Sequence, residues 1–115
     1  MLFRSLNADV RGCHISASLC HMGNISHRLG KKTSPENIED ELKNRQGMTD
    51  AFERFQAHLA ANEIDISKEK ATLGPLLRMD PDAEAFTGRR ASEANRMLTK
   101  RYRKGFVIEN AATLG

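Results

Sequence analysis

The sequence predicts a mainly α fold carrying one small β-hairpin. Three observations predict it. Apolar residues recur at the helical period over 13–29, helix starts and breakers stand at Ser34-Pro35 and at Gly47, and apolar runs flank the turn Asp80-Pro81-Asp82. The expected elements are four helices at about 13–29, 35–45, 49–62 and 91–100, with a hairpin at about 76–87.

The first helix organises the rest. Ile15, Leu19, Met22, Ile25 and Leu29 follow steps of four, three, three and four, so they share one stripe. Gly30 stands where a left-handed C-cap glycine belongs, and Arg28, Lys31 and Lys32 suit the negative end of the helix dipole. The opposite side carries Ser16, Ser18, Cys20, Gly23, Asn24 and Ser26, small residues that let another backbone approach. That pattern predicts a helix buried on more than one side.

Composition bounds what surrounds it. A chain of 115 residues is one small domain at most, with 39% apolar residues, 5% aromatics and 29% charged residues. That supports a modest helical core, and it is not the composition of a disordered chain. No apolar run reaches the ~18 residues that a membrane span needs. Residues 1–10 hold no signal-peptide hydrophobic region, so the expected location is cytoplasmic and the two cysteines are expected as free thiols.

The net charge of +3 conceals a polarity: +4 over residues 1–35, −4 over 36–70, +4 over 71–104 and −1 beyond. An acidic middle between basic ends suits internal pairing or a partner surface better than a dedicated nucleic-acid binder.

In chain order, Leu2, Phe3 and Leu6 read as the last turn of a helix whose beginning is missing. Ser34 as N-cap and Pro35 at the first position start the second helix, with Ile38 and Leu42 as its apolar pair. Thr49 caps the third, whose inner stripe is Met48, Phe52, Phe55 and Leu59. Ile64, Ile66 and Leu73 read as loop residues pinned to the core, and Pro75 forbids a helix through 73–77. Ser92 caps the last helix, with Ala94, Met97 and Leu98 facing inward. Residues 101–115 form an extended tail, basic at its start and anchored by Tyr102, Phe106 and Val107.

Several short motifs then occur in a telling order: CHMGNISHRLG at 20–30, LGPLL at 73–77, MDP at 79–81, FTG at 86–88, EANRML at 93–98 and YRKGF at 102–106. Together they resemble the C-terminal end of the bacterial-type Gfo/Idh/MocA oxidoreductases, the glucose–fructose oxidoreductase and inositol dehydrogenase superfamily. The resemblance spans about Asn7 to Ile108 and is least specific in the acidic middle. It implies an α/β family domain of which this chain is the last part. It also implies hydride transfer between NAD(P) and a sugar or polyol in the full-length family. A dinucleotide site needs a glycine-rich strand-to-helix turn that presents backbone N–H groups to pyrophosphate. No G-x-G-x-x-G occurs here, and the family's Lys-Pro-containing catalytic motif is absent. Hydride transfer is the cofactor's chemistry, so the chain is expected to be silent alone. No catalytic, cofactor-binding or metal-ligating residue is assigned.

Two constellations compete with that reading. Cys13-His14 and Cys20-His21 repeat at a spacing of seven, which invites zinc. On a helix, seven residues advance ~10.5 Å, too far for one ion. Buried thiols and hydrogen-bonded histidines are the plainer expectation. His14, His21 and Asn24 are nonetheless the polar residues best placed to face an interface or a ligand, His21 and Asn24 being one turn apart. Arg89-Arg90 and the cluster at 100–104 form a basic patch around Tyr102, for which a solvated tail or strap is the simpler reading.

Three functions follow in order. The first is the C-terminal segment of a Gfo/Idh/MocA-like oxidoreductase, partnered by a separately encoded Rossmann-domain half or by a second copy of the chain. The second is a helical protein-interaction module. The third is a small basic nucleic-acid-binding protein.

Overall fold

A computed structural model of the protein describes residues 9–99 and 102–106. Among these residues it has five helices and two antiparallel strand pairs, so the fold is mainly α. The expected helical turn at Leu2–Leu6, the anchor Val107 and the basic residues Lys100 and Arg101 lie outside the described residues. The chain divides into two compact units, 1–76 and 77–115.

In the first unit, α1 spans Val10–Leu29. It starts three residues before the expected boundary because Asp9 caps it, its carboxylate accepting from the Gly12 N–H at 2.7 Å. β1 (Lys31–Thr33) follows directly and pairs antiparallel with β2 (Ala71–Leu73), Lys31 opposite Leu73 and Thr33 opposite Ala71. No periodicity announced this pair, because three residues are too few to show alternation. Between the two strands the chain makes an excursion through three helices.

α2 (Pro35–Leu42) begins as expected, with Ser34 capping and Pro35 in the first turn, but ends at Leu42 rather than near Arg45. α3 (Met48–Ala61) has Gly47, with φ +75°, in the cap position and receives no side-chain cap from Thr49. The one-turn α4 (Ile66–Glu69) occupies a stretch expected as loop, Asp65 capping it by accepting from the Ser67 N–H and hydroxyl.

Ile38, Leu42 and Phe52 form the buried core of this unit, with Ile66, Ala71 and Leu73 packed against it. Burial of Ile38, Leu42 and Phe52 contributes on the order of 1.5–3 kcal/mol each. The expected inner stripe of α3 is narrower than its spacing implied. Phe52 is buried, Leu59 half-buried, and Met48 and Phe55 are exposed. Phe55 still leans on Phe52, ring centroids 6.4 Å apart. Ile64 is exposed rather than pinned to the core.

In the second unit, β3 (Arg78–Asp80) and β4 (Ala85–Thr87) form the expected hairpin, Met79 opposite Phe86. The Asp80 carboxylate accepts from the backbone N–H of Asp82 and Ala83 at 2.9 and 3.1 Å, which shapes the turn behind Pro81. α5 (Ala91–Asn95) packs on β4 but is half the expected length. Arg90, not Ser92, holds its cap position, and no side chain caps it. Ala94 and Phe86 are buried, Met97 is half-buried and Leu98 is exposed. The tail residues Tyr102 and Phe106 are exposed too, so neither anchors it; Arg103 instead lies 5.1 Å above the Phe106 ring.

Asn95 ties this unit together. Its side-chain oxygen accepts from the Phe86 N–H at 2.7 Å, and its amide donates to the Phe86 carbonyl at 3.0 Å. A two-stranded hairpin is marginal in water, so this double bond to half of one ladder position matters. Asn95→Ala is expected to leave both Phe86 backbone groups unpaired and to destabilise the second unit by about 2 kcal/mol. Hydrogen exchange at Phe86 and Met79 measures it, with faster exchange there and unchanged exchange in α2 and α3.

Candidate functional site

The best-built part of the first unit is where the last turn of α1 meets the end of β2. Ser26 donates its hydroxyl hydrogen to the Pro75 carbonyl at 2.7 Å, joining residues 49 apart in sequence. Two glycines make room for this approach. A Cβ at Gly30 would sit 2.7 Å from the Leu73 carbonyl oxygen, and one at Gly74 would sit 2.7 Å from the Ser26 carbonyl oxygen. Gly30 is therefore not the left-handed cap expected from its position. Its φ and ψ of −74° and 171° are extended, and closeness to β2 is what a side chain would violate. Ile25, one residue before Ser26, is the one buried residue of α1.

The rest of α1 stands clear. Ile15 and Leu19 are 53% and 66% exposed, against the expectation of a helix buried on several sides. Cys13 and Cys20 are free thiols as expected, but exposed rather than buried. The apolar stripe is real, but the first unit covers only its C-terminal end.

His14, His21 and Asn24, the polar residues singled out by the sequence, all lie on exposed helical surface. At 100° per residue His14 and His21 project nearly in line, with Asn24 about 60° from His21. They line an exposed flank of the helix. Among the described residues no group of three His, Cys, Asp or Glu is placed to hold a metal ion. No helix among them is long and apolar enough to cross a membrane.

An open concavity of about 550 Å³ lies between α2 and α3, lined by acids that include Glu36, Glu39, Asp40 and Glu53. Its charges are solvated: Lys43 pairs with Asp40 at 2.9 Å, both side chains more than half exposed. Three carboxylates are held below their ordinary values by hydrogen bonds to the charged form. Glu36 receives them from its own backbone N–H and then Ser34, Asp65 from the Ser67 hydroxyl and then the Ser67 N–H, and Glu93 from Arg90. Arg90 is raised in return, gripping Glu93 through two bonds of 2.8 and 2.7 Å. One arginine of the basic patch is thus spent inside its own helix.

The residues that sequence reasoning passed over are Ser26, Gly74 and Asn95 in their actual roles. The signal was present: each sits inside one of the short motifs. Comparison with protein-family models, with curated proteins and with solved structures gives no match to the chain.

The lowered carboxylates fix the sign of the acid response. Their contribution is complete above the ordinary carboxylate range and is lost as pH falls through their depressed values. Being open to solvent, they contribute weakly and are screened by salt. Thermal unfolding is therefore expected to shift down modestly between about pH 5 and pH 3. Glu93→Gln should flatten part of that shift, and two-dimensional NMR titration of the three carboxylates checks that each is lowered.

Proposed function

We propose that the chain is the C-terminal segment of a Gfo/Idh/MocA-like NAD(P)-dependent oxidoreductase acting on sugars or polyols, and that it is catalytically silent by itself. One observation carries the reading. Four of the six motifs behind the resemblance are joined in two pairs in space, although each pair is distant or interrupted in sequence. CHMGNISHRLG at 20–30 meets LGPLL at 73–77 through Ser26, Gly30, Gly74 and Pro75. FTG at 86–88 meets EANRML at 93–98 through Phe86 and Asn95. Ser26, Gly30, Gly74 and Asn95, four of the residues that carry the likeness, are ones whose size or hydrogen bonding the local fold requires. On this reading they are scaffold, and the chemistry belongs to a nucleotide-binding half that these 115 residues do not contain.

A second reading, the helical interaction module, is favoured by the exposed apolar residues of α1. The two readings differ in what a cofactor-bearing half does for the chain. Calorimetry of the purified chain with NAD(H) and NADP(H) is expected to give no binding heat; micromolar binding would overturn the claim of silence. Grafted in place of the corresponding segment of a Gfo/Idh/MocA enzyme, the chain is expected to support cofactor-dependent turnover. A chimera that binds cofactor normally yet shows no turnover on the parent enzyme's substrate counts against the family reading.

A further inference from the structure

We propose that α1 is a homodimerisation element, two copies of the chain pairing antiparallel through its outward face about a two-fold axis at Ala17. The proposal rests on the helix alone and is independent of the family reading.

The first unit holds only the last turns of this 20-residue helix, which is about 30 Å long. At 100° per residue, Gly12, Ser16, Leu19, Cys20 and Gly23 fall on one outward face, with Ile15 at one margin and Cys13 at the other. All seven are exposed. Leucine, isoleucine and cysteine are residue types that usually leave water, so their clustering there is unusual. Gly23 adds a second oddity. A glycine inside a helix costs about 1 kcal/mol relative to alanine. A Cβ at Gly23 would meet nothing within 4 Å, so no contact inside the chain needs its absence. A neighbouring helix backbone would.

The face is symmetric in a way that selects a second copy as its occupant. The pairs Cys13 and Cys20, Ile15 and Leu19, and Gly12 and Gly23 all have their midpoints within one residue of Ala17. In an isologous two-fold contact, residue i meets j and j meets i. Antiparallel pairing about Ala17 therefore sets Ile15 on the partner's Leu19, Gly12 against the partner's Gly23 and Cys13 beside the partner's Cys20, each contact occurring twice. Charge follows the same symmetry. Asp9 caps the start of α1, while His27 and Arg28 stand in its last turn. The antiparallel arrangement brings Asp9 of one helix to the end of the other that carries Arg28, Arg11 being the one further formal charge of α1, and opposes the two helix dipoles.

The test uses the full chain. By light scattering under reducing conditions, the weight-average mass is expected to rise twofold from low micromolar to submillimolar concentration. Gly23→Leu has room in the monomer and raises helix propensity, so it should keep the helical circular dichroism and abolish the rise. Oxidation with diamide, which takes up the two hydrogens lost as each thiol pair becomes a disulfide, should cross-link the wild type into a dimer. Within one helix the two cysteines are ~10.5 Å apart along the axis, too far to bridge. Cys13→Ser and Cys20→Ser should each lose the cross-link alone, and an equal mixture of the two variants should regain it. A single-chain mass at every concentration overturns the proposal. So does a cross-link that survives in either variant alone, since parallel or random pairing would join like cysteines.

Discussion

The close approach of the last turn of α1 to the end of β2 is the constraint on which the first unit depends. It rests on a hydroxyl and two missing side chains. Ser26 satisfies the Pro75 carbonyl, which a proline-bearing loop has few other ways to pair. Gly30 and Gly74 let backbone meet backbone at distances no Cβ allows. With that contact made, β1 emerges from the helix already alongside β2, and Leu73 is delivered to the core of Ile38, Leu42 and Phe52. Hydrophobic burial supplies most of the stabilisation there, yet it would not by itself choose this register.

Much of the fold was legible because local rules were strong. Ser34-Pro35 fixed the start of α2 through a cap and a pre-set φ, and Asp80-Pro81 fixed the hairpin turn. The rest failed for identifiable reasons. Periodicity carries α2 to Arg45 and α5 past Asn95, whereas the chain there tightens into turns, Arg45 bonding back to Leu42 and Met97 to Ala94. The β1–β2 pair was invisible, since its partners stand about forty residues apart and each is three residues long. The position of Gly30 suggests a dihedral role whereas its reason is steric, a distinction no single sequence can display.

The exposed part of α1 shows the same limit from the other side. Periodicity identifies which residues share a face but not whether that face is covered. Ile15 and Ile25 belong to one stripe, yet only Ile25 is buried, because the covering chain reaches only the helix's final turns. For His14, His21 and Asn24, position on the helix was legible, whereas their surroundings depend on what else the helix meets.

The ladder between Lys31–Thr33 and Ala71–Leu73 has an architectural consequence. Everything from Ser34 to Lys70 leaves and rejoins the fold at adjacent ladder positions, as a side loop leaves and rejoins a road. That stretch also holds most of the acidic charge and owns Ile38, Leu42 and Phe52, the larger share of its own interior. Its length is accordingly uncoupled from the strand register on either side. Chain added or removed at the exposed bends around Gln46 or Glu63 would alter the size of this lobe while leaving the helix-to-strand junction in place.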